Sequence, residues 1–168
     1  MKKFIGIAAL LIFVATAGYS QNLKFGHINS DELIQAMPEF DSANASLETL
    51  RQELVNALEL MQVELNNKSD AYNKESKALT DIVRQTKEQE LIDLNRRIQD
   101  FQTSAQEQLQ NKQVELFQPI YAKVDKAIKD VGKENGFTYI HSVAALLYVD
   151  ETKSTNIMPL VKAKLGIK

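Results

Sequence analysis

Cysteine and tryptophan are absent from the 168 residues, and histidine, proline and glycine are scarce, with two, three and six copies. Without cysteine there can be no disulfide, no thiolate metal site, no cysteine nucleophile and no lipid-modified N-terminal cysteine. Two histidines make a histidine-built zinc site a poor prospect. The 20 basic and 22 acidic side chains give a net charge of −2, which argues against a nucleic-acid binder with a strongly basic surface.

The first twenty residues have the pattern of a secretory leader. Lys2 and Lys3 precede an apolar stretch of 14 residues, from Phe4 to Ala17, which is shorter than the roughly 20 residues that span a bilayer. A charged start, a short apolar core and small residues before the cleavage site define a signal peptide. We favour cleavage after Ser20 over cleavage after Ala17, and an uncleaved membrane anchor is the alternative.

Cleavage after Ser20 predicts an exported chain of 148 residues with 18 basic and 22 acidic side chains. Its first element is an alternating apolar and polar stretch, Leu23 to Asn29, which is typical of a strand. Asn29 and Glu32 then have the spacing of a capping box, which predicts a short helix that Pro38 ends.

Residues 39–135, called the arm here, have the composition of long helices. They are rich in Glu, Gln, Lys, Leu and Ala and contain one glycine and one proline. Apolar residues recur every three or four positions, as in a coiled coil. This line of apolar residues, called the seam, includes Leu47, Leu50, Leu54, Leu58, Met61 and Leu65 in the first half and Leu91, Leu94, Ile98, Phe101 and Ala105 in the second. A single helix of this length would reach about 145 Å, so we predict that the arm folds back on itself.

The fold-back point should lie where the seam is weak. Between Leu65 and Leu91 few apolar residues continue the seam, and Thr86 opens a second capping box. We therefore predict a bend between residues 79 and 86 and an antiparallel pair of helices. The acidic start of the first helix then faces the lysines near the end of the second, which would fix the register of the pair.

The C-terminal segment is predicted to form a β-hairpin and a helix. Residues 137–141 and 145–149 are two β-rich runs around a short turn, and Asn156 can cap a final helix. The strands at the two ends of the mature chain must meet. We therefore predict an α+β fold in which residues 21–38 and 136–168 form a small β-rich body, with the arm inserted as a long antiparallel helical hairpin.

No arrangement of residues in the sequence predicts an active site. His27 and His141 lie in predicted strands without a third ligand nearby, and no nucleophile-elbow, zinc-protease or phosphate-loop motif is present. The many acidic residues fall on the solvent face of the arm. We therefore predict a protein that is not an enzyme and that needs no metal or cofactor. Pro119 is the unusual residue of the second helix, and we predict a kink there, near the base of the arm.

Four short segments, taken in order, resemble the Skp/OmpH family. They are the Met37-Pro38-Glu39 start of the arm, the stretch Glu115-Leu116-x-x-Pro119-Ile120, the arm end Glu134-Asn135-Gly136-Phe137 and the segment Leu147-Tyr148-Val149-Asp150. The resemblance implies a periplasmic, ATP-independent holdase chaperone for unfolded outer-membrane β-barrel proteins. It also implies a jellyfish-like homotrimer, in which the bodies join the subunits and three arms (tentacles) enclose a central cavity.

By this resemblance the trimerising bodies hold a set of mostly apolar residues: Phe25, Ile28, Phe137, Tyr139, Ile140, Leu147 and Tyr148. Size agrees with this, because a body of about 50 residues buries too little surface to be stable alone. Apolar and aromatic residues of the arm would line the cavity and hold clients weakly. The candidates are Val55, Val63, Tyr72 and Ile92.

Charge separates this chain from the best-known members of that family. Those are strongly basic, whereas the mature chain here has a net charge of −4. Lipopolysaccharide binding is therefore in doubt, and capture by apolar contacts is the expected mode. The alternative function is a structural coiled-coil protein of the envelope without chaperone activity, whose outer helix faces would be uniformly polar.

Overall fold

The computed structural model describes residues 23–167, and the predicted signal peptide, residues 1–20, lies outside the described residues. The regular elements are β1 (Phe25–Ile28), α1 (Ser30–Gln35), α2 (Pro38–Glu75), α3 (Asp81–Glu134), β2 (Tyr139–Ser142), β3 (Ser154–Asn156) and α4 (Met158–Leu165). Two 3-10 turns, Ser76–Ala78 and Val143–Ala145, complete the order. No helix in this part of the chain is long and apolar enough to cross a membrane.

Local signals fix the start of the first two helices. The side chain of Asn29 caps α1, because its Oδ1 accepts a hydrogen bond from the Glu32 amide at 3.2 Å. This contact confirms the cap predicted from the sequence. α2 begins at Pro38, whose ring fixes φ near the helical value and whose missing N–H is not needed in the first turn.

A five-residue turn joins the two long helices. α2 has 38 residues and α3 has 54, which correspond to lengths of about 57 Å and about 81 Å. Between them lie the first 3-10 turn and two extended residues, Leu79 and Thr80. The chain therefore reverses at residues 76–80, which overlaps only the N-terminal end of the range 79–86 expected from the sequence.

Thr86, which was expected to begin the second helix, lies instead inside α3. Its Oγ1 donates a hydrogen bond to the carbonyl oxygen of Ile82 at 2.9 Å, so it caps no helix end. An N-cap residue needs an extended backbone, and Thr80 has that conformation, directly before the acidic Asp81 in the first turn. The capping-box pattern at residue 86 is therefore the wrong signal for the start of α3.

α2 and α3 pack against each other in antiparallel directions along the seam. The seam residues of α2 are half-buried, and Leu94 and Ile98 of α3 are buried. Lys123, near the end of α3, forms an ion pair with Glu39 at the start of α2. One cross-arm pair of the predicted register, Glu39 with Lys123, is therefore present, whereas Lys126 and Lys129 pair with carboxylates of α3 itself.

The three strands form one parallel sheet in the order β2-β1-β3. β1 is central and pairs with both C-terminal strands, so His27 lies opposite His141 on one side and opposite Asn156 on the other. The predicted meeting of strands from the two ends of the chain is confirmed. The predicted β-hairpin is wrong, because its two runs are not antiparallel partners.

Residues 145–149 form no strand in the structure. They belong to the crossover from β2 to β3, which exists because parallel strands cannot be joined by a tight turn. The chain turns into β3 at Asp150, whose carboxylate accepts from the Thr152 amide at 3.0 Å and whose carbonyl accepts from the Ser154 amide at 2.9 Å. β3 has only three polar residues, so no apolar alternation marks it in the sequence.

The body core lies where α1, α4 and the C-terminal part of α3 meet the inner face of the sheet. Its buried side chains are Ile28, Leu33, Met37, Phe117, Ile120, Val124, Ala127, Val131, Ile157, Met158 and Val161. A Cβ on Gly26 would lie 3.1 Å from side-chain atoms of Ile157 and Phe137, so glycine permits this close approach of β1. α3 therefore belongs to both the arm and the body.

Candidate functional site

Four of the exposed aromatic and aliphatic residues of the body come from β2 and the crossover after it. We call Tyr139, Val143, Leu147 and Tyr148 the body patch; Leu147 and Tyr148 are 109% and 80% exposed. Tyr148 lines a shallow depression together with Phe25, and the ring of Phe25 stacks on Tyr139 at a centroid distance of 6.3 Å. Apolar side chains that lie together on a protein surface are typical of sites that contact another protein.

The body patch lies next to an open sheet edge. β2 and β3 are the two outer strands, and neither has a further strand partner within residues 23–167. An unpaired strand edge presents N–H and C=O groups that can pair with another chain. The body thus has two features of an incomplete structure, an uncovered apolar patch and unpaired strand edges.

The seven residues predicted for the trimerising bodies divide into three groups by burial. Ile28 is buried, and Phe137 and Ile140 pack against the core, so these three stabilise the subunit itself. Phe25 is half-buried beneath Tyr139. The remaining members are exposed at the surface: Tyr139, Leu147 and Tyr148.

Single apolar side chains project from the arm into solvent. Of the four candidate client contacts, Val55, Val63 and Ile92 are exposed. Leu60 and Ile82 are exposed further, at 72% and 79%, and the sequence analysis did not identify them. Leu60 falls outside the three- and four-residue spacing of the seam, and this offset is the signal that predicts its exposure. The sequence places Ile82 among the few apolar residues that continue the seam between Leu65 and Leu91, but in the structure its side chain is exposed.

Tyr72, the fourth candidate, lies between the two arm helices. It is half-buried, and its hydroxyl donates a hydrogen bond to the carboxylate of Glu88 in α3. This bond raises the pKa of Tyr72. Lys68 adds a second cross-arm contact, 3.7 Å from Glu90. Tyr72 therefore joins the two helices near the turn, where the seam is weak.

Pro119 lies in the interior of α3, which continues on both sides of it. Its ring nitrogen carries no hydrogen, so it cannot donate to the carbonyl of Glu115 as other helical residues would. Pro119 also lines an open groove between α2 and α3 at the base of the arm. The predicted kink at this residue stays a prediction.

Charged groups near the base of the arm are paired. Lys123 donates a hydrogen bond to Glu39, and this bond lowers the pKa of Glu39. Lys126 donates to Asp130 at 2.5 Å and lowers the pKa of that carboxyl group in the same way. These pairs reduce the positive charge that the lysine-rich end of α3 would otherwise present to an anionic ligand.

The two histidines lie side by side in the sheet, as the sequence indicated. His27 is buried, with its Nδ1 2.9 Å from the Ser154 Oγ, whereas His141 is exposed. Within residues 23–167 no group of three or more His, Cys, Asp or Glu side chains is placed to hold a metal ion. His27 is therefore explained as a hydrogen-bonded residue of the sheet.

Similarity to known proteins covers nearly all of the described chain. Residues 24–165 match the family model described as Outer membrane protein (OmpH-like). The chain belongs to the OmpH-like family. The resemblance to Skp/OmpH proteins that the sequence motifs indicated is therefore confirmed.

Relatives of this OmpH-like chain match it over most of their length. It is 29% identical over 153 residues to an uncharacterized protein from Aquifex aeolicus, which covers 90% of this chain and 89% of the relative. It is 23% identical over 167 residues to Chaperone protein Skp from Yersinia enterocolitica. This alignment covers 98% of this chain and 100% of the relative.

A crystal structure of an OmpH-like protein from Caulobacter crescentus has the same fold. The TM-score is 0.74 at 14% sequence identity, over 85% of this chain and 83% of that one. The two long helices and the small sheet are therefore the OmpH-like fold.

Proposed function

We propose that this OmpH-like protein is a periplasmic, ATP-independent holdase chaperone. It binds unfolded outer-membrane β-barrel proteins and prevents their aggregation. The observation that carries the proposal is the long two-helix arm, which has one seam and leaves apolar side chains exposed on its other faces. Similarity to a relative named Chaperone protein Skp, over 98% of this chain, supports it.

The proposed working form is a homotrimer joined through the bodies. Each body has an uncovered apolar patch and two open strand edges, β2 and β3. A contact between the β2 edge of one subunit and the β3 edge of the next is head-to-tail, and such contacts close into a ring when the rotation fits. Three arms extending from one side of this ring then enclose a cavity for the client.

Many weak apolar contacts hold the client in this proposal. Each exposed apolar residue of the arm covers little of a client; these residues include Val55, Leu60, Val63, Ile82 and Ile92. A client that touches several of them on three arms is retained by multivalency, although each single contact is weak. This mode of retention requires no cofactor and no ATP.

A structural coiled-coil protein of the envelope is the second candidate function. Most of the arm surface is polar, and exposed apolar residues that stand singly also occur on ordinary protein surfaces. Such a protein would form the same arm but would bind no unfolded polypeptide.

Light scattering distinguishes the two functions. A denatured outer-membrane β-barrel protein is diluted into buffer without ATP, with and without the mature protein. A holdase keeps the scattering low once about one trimer is present per client. An unrelated coiled coil of equal length, at equal concentration, controls for non-specific effects. Scattering equal to that in buffer alone would show that the chaperone proposal is wrong.

A further inference from the structure

An open groove of about 510 Å³ lies between α2 and α3 at the base of the arm. On the α2 side it is lined by small residues, Ser42, Ala43 and Ser46, and on the α3 side by Leu116 and Pro119. The volume falls within the range of sites that bind small ligands or a few side chains.

The surface of this groove is apolar although it includes two serines. Ser46 Oγ donates to the Ser42 carbonyl at 2.9 Å, and Ser42 Oγ donates to the Pro38 carbonyl at 3.2 Å, so both hydroxyl hydrogens are used within α2. The charged residues at its rim, Glu39 and Lys123, pair with each other. The groove therefore offers a neutral surface.

A backbone acceptor adjoins this surface. In an α-helix the carbonyl of Glu115 would accept a hydrogen bond from the amide of residue 119, but Pro119 has no N–H. Leu116 and Pro119, the neighbours of Glu115 along α3, both line the groove. The Glu115 carbonyl therefore lacks its usual helical donor and can accept a hydrogen bond from water or from a bound chain.

An unfolded polypeptide supplies both complements of this groove. Its apolar side chains match the neutral, apolar lining, and its backbone N–H groups are free, whereas a folded partner uses its own N–H groups internally. A charged side chain would lose hydration in the groove without gaining a partner, because Glu39 and Lys123 already pair.

We infer that the groove binds an extended, uncharged apolar segment of an unfolded polypeptide, which donates a backbone N–H to the Glu115 carbonyl. This inference rests on the proposed function and names the place on the arm where a client segment is held.

Tryptophan fluorescence tests the inference, because the protein has no tryptophan of its own. The probe is an acetylated Ser-Val-Trp-Val-Ser amide peptide, whose emission shifts to the blue when the indole leaves water. Titration with the mature protein should give a saturable shift with a dissociation constant on the order of 0.1–1 mM. A peptide with glutamate in place of both valines should have a dissociation constant at least about tenfold higher.

Two leucine substitutions on α2 separate the groove from the rest of the arm. Ser46→Leu fills the groove from an exposed position and should weaken peptide binding about tenfold or more. Thr49→Leu is the matched control: Thr49 is exposed on the same helix, its Oγ1 donates to the Ala45 carbonyl at 3.0 Å, and it does not line the groove. This control should change the dissociation constant less than about twofold.

Pro119→Ala tests the backbone acceptor separately. The alanine returns an N–H to the Glu115 carbonyl, so the peptide loses its acceptor and should bind about threefold to tenfold more weakly.

Equal peptide affinity in the Ser46→Leu and Thr49→Leu variants would overturn the inference. It would also be overturned if the wild-type protein binds no peptide while Ser46→Leu changes the oligomeric mass in sedimentation, because a second copy of the chain would then cover the groove. Light scattering with denatured client keeps the two proposals apart. If peptide binding fails while the wild-type protein still suppresses scattering, the groove inference alone is wrong; if suppression fails as well, the proposed function is wrong.

Discussion

Replacement of Leu147 tests the proposed subunit contact. Its side chain is 109% exposed in the single chain, so Leu147→Ser removes no packing within the subunit and should leave its folding unchanged. In a homotrimer that covers the body patch, three copies of this side chain are buried. Leu60→Ser is the matched control, because Leu60 is 72% exposed but lies on the arm, away from the body.

The expected effect on assembly is large. Burial of one leucine side chain contributes about 2 kcal/mol, so three copies contribute about 6 kcal/mol to the trimer. This free energy corresponds to a change of about 10⁴-fold in the association constant. Sedimentation equilibrium at micromolar concentration should find trimers for the wild type and for Leu60→Ser, and mostly monomers for Leu147→Ser. A monomeric wild type, or a Leu147→Ser trimer as stable as the wild type, would refute the reasoning.

Three further predictions concern the arm. Pro119→Ala should raise the urea midpoint, because it restores a helical hydrogen bond, and should keep the trimer mass while changing client capture; if stability and capture both stay the same, the proline has no functional role. Client affinity should change less than about threefold between about 20 mM and about 300 mM salt, because apolar contacts dominate, and a tenfold loss would show electrostatic capture. Lys123 lowers the pKa of Glu39, so their pair stabilises the fold above the ordinary carboxyl pKa and loses this contribution as the pH falls through the lowered value. The small deficit in urea midpoint expected for Glu39→Gln at neutral pH should therefore shrink between about pH 5 and about pH 3, and a constant deficit would contradict this cause.

The helical part of the fold follows from local sequence signals. The seam spacing predicts both arm helices, and the cap at Asn29 and the pairing of Glu39 with Lys123 are present as expected. The helices and the cap depend on residues close in sequence or on one repeated spacing, and the Glu39–Lys123 pair follows once the two helices are taken as antiparallel. The predicted turn lies a few residues too far toward the C-terminus, because the capping pattern at Thr86 resembles a helix start.

The sheet depends on long-range contacts that leave little trace in the sequence. β3 is stabilised by its pairing with β1, which is more than 120 residues away, and its three residues are polar. The run 145–149 is rich in β-forming residues but lies in the crossover, because β2 and β3 both run parallel to β1 on its two sides and a tight turn cannot join them.

Some features of the candidate site can be read from one helix, and others depend on long-range contacts. Exposure of Val55, Val63 and Ile92 follows from their offset from the seam. The cross-arm bond of Tyr72 to Glu88 depends on the position of the turn, which fixes which residues face each other. The groove beside Pro119 requires the facing residues of both helices and cannot be read from either helix alone.

The mass of the complex with a client tests the central claim most directly. Denatured outer-membrane β-barrel protein is mixed with excess mature protein without ATP, and the soluble fraction is examined by sedimentation velocity and native mass spectrometry. We expect a soluble complex of three chains with one unfolded client. The Leu147→Ser variant, which should not assemble into trimers, should form no such complex. A soluble fraction that contains only the client-free protein, with all of the client in the pellet, would contradict it.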